Sequence, residues 1–541
     1  MPAKHFLAAT IVAVLASACT DRTGKSTDEA AAAPTQAANL SLPAQQLDSP
    51  WFSQGQENVE AAREQVINNT PGAAKNIILF VGDGMGISTV TAARILAGQQ
   101  KGMSGEEYQL SFEEMPFAGL IKTYNTNQQT PDSAGTATAM MAGVKTRAGV
   151  LNVAEDVPRG DCVASQQRPL VTALELAEAL GKSTGVVSTA RITHATPAAT
   201  YAKVPERGWE SDDGLSNEAR EKGCVDIAAQ MVALEAGDGI DVAMGGGRRH
   251  FLPATETDLE GKPGRRQDGR NLVQEWQQRY SDGGTNAVYI EDQSGFDSID
   301  VAATDKLLGL FASSHMRYEV DRGNDVAGEP SLSQMTGKAL QLLDKDADGY
   351  FLMVESGRID HGHHAGSAYN ALTDAVEFAE AIRVAMEATS ADDTLIIVTA
   401  DHSHVLTISG YPTRGNPILG KVVVNNSRGE PESVPATAED GLPFTTLSYA
   451  NGRGFADLAG ETDADVRYGL PVDAGRKDLT AVDTTAPGFH QEAMVPLGGE
   501  THAGEDVGIW ARGPGAHLLT GTKEQSYIFH VMARAGGLLP Q

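Results

Sequence analysis

The segment 351–366 combines an apolar run with carboxylates and histidines at regular spacing. Its apolar residues 351–354 are followed by Glu355, and then by Asp360 and His364. On a helix, the four-residue spacing of Asp360 and His364 puts both side chains on one face, where they can hold one metal ion. The alternative for this segment alone is a polar loop between a strand and a helix, with solvated histidines.

Two further apolar runs end in candidate metal ligands. Residues 76–81 lead into Asp83, and residues 394–399 lead into Asp401 and His402. Ligands of open parallel sheets bind outside the carboxyl ends of the strands. Asp83 alone is most simply a helix cap. Three strand-end carboxylates with nearby histidines instead favour a metal centre, with zinc on mixed oxygen and nitrogen ligands and magnesium on oxygen ligands.

The candidate nucleophile is Ser133, which follows Pro131 and Asp132 and precedes a run of small residues. This pattern predicts a helix that begins at Ser133, where free N–H groups can bind phosphate. An ordinary serine N-cap is the alternative. No Gly-x-Ser-x-Gly motif surrounds the residue, so a metal ion rather than a histidine would have to lower the pKa of its hydroxyl.

Runs of β-branched and other apolar residues predict the strands that position these groups: 76–81, 185–188, 241–244, 350–354, 394–399 and 507–510. Continuous hydrophobicity is typical of strands buried on both faces in a parallel sheet. Helical patterns lie between them, at 170–180, 228–234, 332–343 and 368–386. We therefore expect an α/β fold with a doubly wound, mainly parallel central sheet and helices on both faces. Residues 409–500, rich in Gly, Pro and Asn, predict a small inserted β-rich subdomain or, alternatively, a long surface excursion.

The first 50 residues predict export. Lys4 precedes an apolar run over 6–18 that is too short to span a bilayer, which is typical of a signal peptide at 1–18. The small residues before Cys19 resemble a bacterial lipoprotein cleavage site, so Cys19 is a candidate lipid anchor; plain secretory cleavage after Ala18 is the alternative. Residues 19–50 predict a flexible tether. The protein is expected in the periplasm or at the cell surface.

Charge and cysteine content limit the possible binding partners and the cellular compartment. A net charge of −29 over 541 residues argues against nucleic acid or an anionic membrane as a partner. Beyond Cys19, the cysteines are Cys162 and Cys224, an even pair in an oxidising compartment. They form either a disulfide or two buried thiols.

From about residue 50 to residue 540, the chain resembles the alkaline phosphatases, and more closely the animal and marine-bacterial type. The motifs that carry the resemblance are Val81-Gly-Asp83-Gly-Met-Gly, Pro131-Asp132-Ser133, Val354-Glu355-Ser-Gly-Arg-Ile-Asp360-His-Gly-His-His364, Val398-Thr-Ala-Asp401-His402-Ser-His404 and Glu500-Thr-His502-Ala-Gly-Glu-Asp. The resemblance implies one catalytic domain over 51–541, with a crown-like insertion around 409–500. It also implies a disulfide between Cys162 and Cys224.

The resemblance further implies hydrolysis of small phosphate monoesters of broad range through a phosphoserine at Ser133. Arg207 would clamp two phosphate oxygens, placed by Asp132. Two zinc ions and one magnesium ion are implied as cofactors. Their ligands would be Asp360, His364 and His502 for the first zinc, Asp83, Asp401 and His402 for the second, and Asp83, Thr196 and Glu355 for magnesium.

Other residues are assigned by the same resemblance. His404 would orient a zinc carboxylate, whereas His194 and His361 would tune the magnesium shell and phosphate release through water. His363 is expected to be a solvated loop histidine. The extra calcium site of animal members is not expected, because Ala312 stands where a carboxylate is needed beside Glu260 and Phe311. The family also implies a homodimer, with residues 51–69 as an arm that reaches the partner.

Overall fold

The central element of the computed structural model is a sheet of ten strands. The structure describes residues 73–539. The predicted signal peptide, the tether, Cys19 and the 51–69 arm lie outside the described residues. The strands of this sheet are β1 Asn76–Gly82, β2 Phe117–Lys122, β3 Ser183–Arg191, β4 Val242–Gly246, β5 Ala287–Ile290, β6 Lys306–Leu310, β7 Tyr350–Ser356, β8 Thr394–Ala400, β16 Val507–Arg512 and β17 Gly521–Glu524. Their order across the sheet is β17-β2-β16-β8-β1-β7-β3-β4-β6-β5.

Only one strand of this sheet, β16, runs against the others. Strand β1 pairs in parallel with β7 on one side and with β8 on the other. Strand β16 pairs antiparallel with both β8 and β2. The prediction of a mainly parallel α/β fold is confirmed, while the buried run at 507–510 is an antiparallel strand of it. Burial on both faces explains that run's hydrophobicity in either direction.

Helices connect the strands and cover the sheet. They are α1 Ile87–Gln100, α2 Ser133–Ala142, α3 Cys162–Gln167, α4 Ala173–Ala179, α5 Ala195–Ala198, α6 Asn217–Glu221, α7 Ile227–Val232, α8 Leu272–Ser281, α9 Gln293–Asp297, α10 Leu332–Leu343, α11 Arg358–His364, α12 Ala368–Ala388 and α13 Tyr527–Ala535. Short 3₁₀ helices occur at Ser111–Glu114, Asp212–Gly214, Arg248–His250, Arg322–Asn324, Ala464–Gly469 and Ala516–Leu519. Among residues 73–539, no helix has the length and apolar character that a membrane crossing requires.

The insertion at 409–500 consists mainly of turns held by short strands. These and the neighbouring short strands are β9 Ser403–His404, β10 Leu406–Ile408, β11 Leu447–Gly452, β12 Ala456–Asp457, β13 Phe489–His490, β14 Ala493–Pro496 and β15 His502–Ala503. Strands β10, β11 and β14 form a small sheet, and β12 pairs with β13. Strand β15 pairs with β9, which brings His502 opposite His404.

A disulfide joins Cys162 to Cys224, with their Cα atoms 5.9 Å apart. Cys162 begins α3, and Cys224 follows α6. The bond therefore ties together two surface segments, and the alternative of two buried thiols is excluded.

Candidate metal centre and nucleophile

Three adjacent strands supply the acids of the site. In the register of β7, β1 and β8, Val81 lies opposite Glu355, and Gly82 lies opposite Ala400. Asp83 and Asp401 directly follow β1 and β8, so the three carboxylates meet at the carboxyl edge of the sheet. All three side chains are fully buried.

The first candidate metal site is formed by Asp360, His364 and His502. His364 Nε2 lies 3.3 Å from Asp360 Oδ1, and His502 Nε2 lies 3.4 Å from the same oxygen. The two Nε2 atoms are 3.1 Å apart. A tetrahedral zinc site with bonds of about 2.0 Å has edges of about 3.3 Å, so these three atoms fit three of its corners.

Backbone carbonyls fix the histidines of this first site. The Nδ1–H of His364 donates to the Glu500 carbonyl at 2.6 Å, and that of His502 donates to the Pro131 carbonyl at 2.8 Å. In the tautomer that these hydrogen bonds favour, the Nε2 lone pair of each ring is free for a metal.

The second candidate site contains Asp83, Asp401 and His402. His402 Nε2 lies 3.2 Å from Asp401 Oδ2 and 3.5 Å from Asp83 Oδ1. Ser133 Oγ is 3.2 Å from the same nitrogen. The His402 and His502 rings stack with their centroids 3.5 Å apart, which places the two sites side by side.

The third candidate site lies on the other side of Asp83. Asp83, His194 and Glu355 offer ligand atoms that all lie within 4.8 Å of one another. Glu355 also accepts a hydrogen bond from the Ser188 hydroxyl, and Thr196 is buried nearby. The predicted magnesium ligands thus lie close together, with His194 beside them.

Several buried atoms at these sites have no hydrogen-bond partner, and divalent cations would satisfy the oxygens among them. The unpartnered atoms at these sites are Asp83 Oδ1 and Oδ2, His194 Nδ1, Thr196 Oγ1, Glu355 Oε1, Asp401 Oδ2 and His402 Nδ1. Buried polar groups are normally paired, so this concentration indicates a missing charge partner. The donor set is that of zinc and magnesium sites.

The electrostatics of the acids point the same way. Burial raises the pKa of Asp83 well above its ordinary range, and the charges of Asp401 and Asp360 raise it further. Burial also raises the pKa of Glu355 to about 7. Carboxylates that repel one another in a dry site need a cation to remain ionised together.

Ser133 is the first residue of α2, and Asp132 caps that helix. The Asp132 carboxylate accepts the Gly135 N–H at 3.2 Å and the Gly149 N–H at 2.8 Å. Arg207 donates to Asp132 Oδ2, the oxygen that also accepts from Gly149, at 3.2 Å, and to His194 Nε2 at 3.1 Å. The serine thus lies at a helix N-terminus beside an oriented guanidinium, a combination that suits phosphate.

His404 lies between two acids rather than at a metal corner. Its Nδ1–H donates to Glu500 at 2.6 Å, and its Nε2–H donates to Asp360 at 2.7 Å. Although burial lowers the pKa of His404, Glu500 and Asp360 raise it to about 10. Since both nitrogens carry protons, His404 cannot ligate a metal and instead orients the Asp360 carboxylate.

The expectation that His363 is a solvated loop histidine is wrong. His363 lies inside α11 with 0% of its surface exposed. Its ring contacts the hydroxyls of Thr89 and Tyr449. His361, in the same helix, instead contacts Arg358 at 3.1 Å through Nδ1. These contacts could not be predicted from the sequence, because the two hydroxyls come from distant segments.

Three residues of the site have no role in the sequence analysis. Glu500 is part of a quoted motif, and its spacing two residues before His502 could have identified it. Ser188 ends a predicted strand beside the one that carries Glu355, so strand pairing could have placed it. His315 follows β6 and has its ring centroid 4.0 Å from that of His361; as an isolated histidine in a loop, it gave no signal.

Comparisons with known proteins agree along nearly the whole described chain. A family model described as alkaline phosphatase matches residues 74–538. The tissue-nonspecific isozyme of alkaline phosphatase from Gallus gallus is 44% identical over 496 residues, covering 91% of this chain and 89% of the relative. An alkaline phosphatase from Gadus morhua is 42% identical over 491 residues, covering 90% and 96%. The alkaline phosphatase structure from Thermus thermophilus shares the fold, with a TM-score of 0.59 at 24% identity over 93% of this chain and 97% of that one.

Proposed function

This chain belongs to the alkaline phosphatase family and is a phosphoric monoester hydrolase, and from that premise we propose that Ser133 is its nucleophile. The Ser133 oxygen attacks phosphorus, the bond to the alcohol oxygen breaks, and a phosphoserine forms. Water then releases inorganic phosphate and restores the hydroxyl. The observation that carries this assignment is the position of Ser133 Oγ, 3.2 Å from His402 Nε2 at the N-terminus of α2.

The chain's own residues would bind and orient the phosphate. Arg207 is held between Asp132 and His194, so its remaining N–H groups can clamp phosphate oxygens with little loss of side-chain freedom. The free N–H groups at the start of α2 would add to this site. None of these contacts involves the alcohol, which supports a broad range of monoesters.

We assign two zinc ions and one magnesium ion to the centre. Asp360, His364 and His502 would hold the first zinc. The second zinc would take Asp83, Asp401 and His402, and magnesium would take Asp83, Thr196 and Glu355. Bound cations would lower the pKa of the serine hydroxyl and neutralise charge on the phosphate.

The test compares p-nitrophenyl phosphate with bis(p-nitrophenyl) phosphate, with and without a chelator. We expect hydrolysis of the monoester, a weak reaction with the diester and loss of both on chelation. Ser133→Ala should lower kcat by about a thousandfold or more, without phosphoserine in rapid-quench samples. Ser111→Ala, which removes a hydroxyl bonded to Ala379 away from the centre, is the control. Full monoesterase activity in Ser133→Ala would exclude this mechanism.

Arginine rather than calcium would occupy the region around Glu260. The fully buried Arg248 donates to Glu260 at 2.7 Å and to Asp258 at 3.1 Å. A guanidinium already neutralises these acids, and Ala312 offers no carboxylate. Metal analysis of the purified protein should find no stoichiometric calcium, and added calcium should leave the Tm unchanged; one calcium per chain, or a rise in Tm with added calcium, would contradict this assignment.

Export and dimerisation complete the proposal. The disulfide supports an oxidising compartment, in agreement with the predicted signal peptide. A homodimer is supported by exposed apolar side chains that concentrate in the insertion. These are Tyr411, Val434, Val466, Tyr468, Val472, Met494, Val495 and Leu497.

A further inference from the structure

His363 is a buried polar side chain that takes no part in the proposed reaction. Its Nδ1 lies 2.7 Å from the Tyr449 hydroxyl, and its Nε2 lies 2.9 Å from the Thr89 hydroxyl. Thr89 lies in α1, and Tyr449 lies in β11 of the insertion. Both partners are buried, with 1% and 3% of their surfaces exposed. A neutral imidazole donates to one hydroxyl and accepts from the other, so each nitrogen has a partner.

The face of this fixed ring supports His404. The ring centroids of His363 and His404 are 4.8 Å apart, with the planes inclined by 32°. Both N–H groups of His404 are already used by Glu500 and Asp360. These two hydrogen bonds still allow the His404 ring to shift sideways, so packing has to fix that position. A neighbour anchored through both nitrogens is well suited to that task, because it cannot rotate away.

We propose that Thr89, His363 and Tyr449 are positioning residues for the first metal site, acting through His404 on Asp360. This inference rests on the proposed zinc site and adds three residues that touch neither metal nor substrate. It also connects the insertion to the candidate metal centre, because Tyr449 of β11 contacts His363 in α11, the helix that carries Asp360 and His364. Groups that orient metal ligands commonly change metal affinity by about 10–100-fold when they are removed.

Two conservative variants test the proposal without removing the ring. Tyr449→Phe and Thr89→Val each delete one hydroxyl and keep the shape of the side chain. We expect zinc release to a competing chromogenic chelator to be about tenfold faster in each variant, with magnesium content unchanged. The control is Tyr289→Phe, which removes a hydroxyl bonded to Glu291 at 3.0 Å in the edge strand β5.

A double-mutant cycle separates positioning from general stability. If Thr89, His363 and Tyr449 act through His404, then Tyr449→Phe should change the rate of zinc release by less than about twofold in a His404→Gln background. A purely structural role would lower the Tm of Tyr449→Phe and Tyr289→Phe alike, without this dependence on His404.

The outcomes are distinct for this inference and for the proposed function. Wild-type zinc retention in both Tyr449→Phe and Thr89→Val would overturn the positioning role of Thr89, His363 and Tyr449 but leave the proposed metal site standing. Equal acceleration by the Tyr289→Phe control, or an undiminished effect in the His404→Gln background, would overturn it as well. A wild-type protein that retains no zinc would refute the proposed metal site, and with it the positioning role of these three residues.

Discussion

At the scale of single residues, the histidines of the site differ in the groups that their ring nitrogens contact. His364 and His502 each donate Nδ1–H to a backbone carbonyl and keep Nε2 free. His404 donates from both nitrogens to carboxylates and so cannot ligate. Spacing in the sequence suggests which histidines are close to a metal. It cannot show which tautomer each adopts, because the partners lie far away in the chain.

Glu355 gives a prediction for the metal-stripped protein. Its pKa is about 7 in the folded chain, above the ordinary value of about 4.3, so the folded state binds this proton more tightly than the unfolded state. The stabilisation is complete below about pH 4 and is lost as the pH rises towards 7. Urea unfolding of metal-stripped protein should show a steeper loss of stability between pH 5 and pH 8 in wild type than in Glu355→Gln.

The same comparison with metals restored provides its control. Bound cations favour the ionised carboxylate, so the two pH profiles of the loaded proteins should differ less over this range. Parallel profiles for the metal-stripped wild type and Glu355→Gln would show that Glu355 is not the titrating group.

At the scale of elements, the turn after β1 requires a glycine. Gly84 has a φ of +72°, and a β-carbon there would overlap the His404 ring and lie 3.3 Å from Asp360 Cα. Gly84→Ala should therefore cost about 1–3 kcal/mol in backbone strain alone and also displace His404. We expect a lower Tm together with loss of zinc, measured by metal analysis.

Gly102→Ala is the matched control for this turn. Gly102 has a φ of +79°, and an added β-carbon would meet nothing within 4 Å. It carries the same backbone strain without the overlap, so its variant should lose some stability but keep its zinc. Equal zinc content in the two variants would mean that the turn does not position His404.

The strands that were missed from the sequence are either less buried or lack β-branched residues. Strand β6 is fully buried but was missed, because its sequence Lys-Leu-Leu-Gly-Leu has no β-branched residue. The central strands β1, β7 and β8 are fully buried and apolar, so continuous hydrophobicity identifies them. Strand β2 is only half-buried, and β17, with the sequence Gly-Thr-Lys-Glu, lies at the sheet edge. Such strands form because a neighbouring strand offers backbone hydrogen-bond partners, so their own side chains give little indication of a strand.

At the scale of the whole molecule, the family motifs predicted which candidate ligand residues meet in the fold, but not the environment around them. Asp83, Asp360 and Asp401 could be placed at strand and helix ends from local patterns. The burial of His363 and the ion pair of Arg248 with Glu260 could not, because each depends on segments that meet only in the folded chain.

The insertion gives a prediction about assembly. Met494 in β14 is 75% exposed, and Val495 and Leu497 beside it are 44% and 38% exposed. If this surface pairs two copies, a charge in its middle should weaken the dimer by several kcal/mol, because it would be buried without a partner. Light scattering should show a wild-type dimer and a Met494→Glu monomer at micromolar concentration.

Met103→Glu is the control for this surface change, since Met103 is also exposed, at 41%, but lies outside the insertion. It should leave the dimer intact. A wild-type monomer, or a Met494→Glu variant that still dimerises, would exclude this face as the interface.

The residues that meet at the centre come from opposite ends of the described chain, from Asp83 after the first strand to His502 just before β16. A polypeptide emerges from the ribosome with its amino end first. The first candidate metal site therefore lacks one of its three residues until nearly the entire chain has been synthesised. A chain that stops short of residue 502 would keep most strands of the sheet but not the complete candidate ligand set, so binding of an ion there would distinguish complete chains from truncated ones.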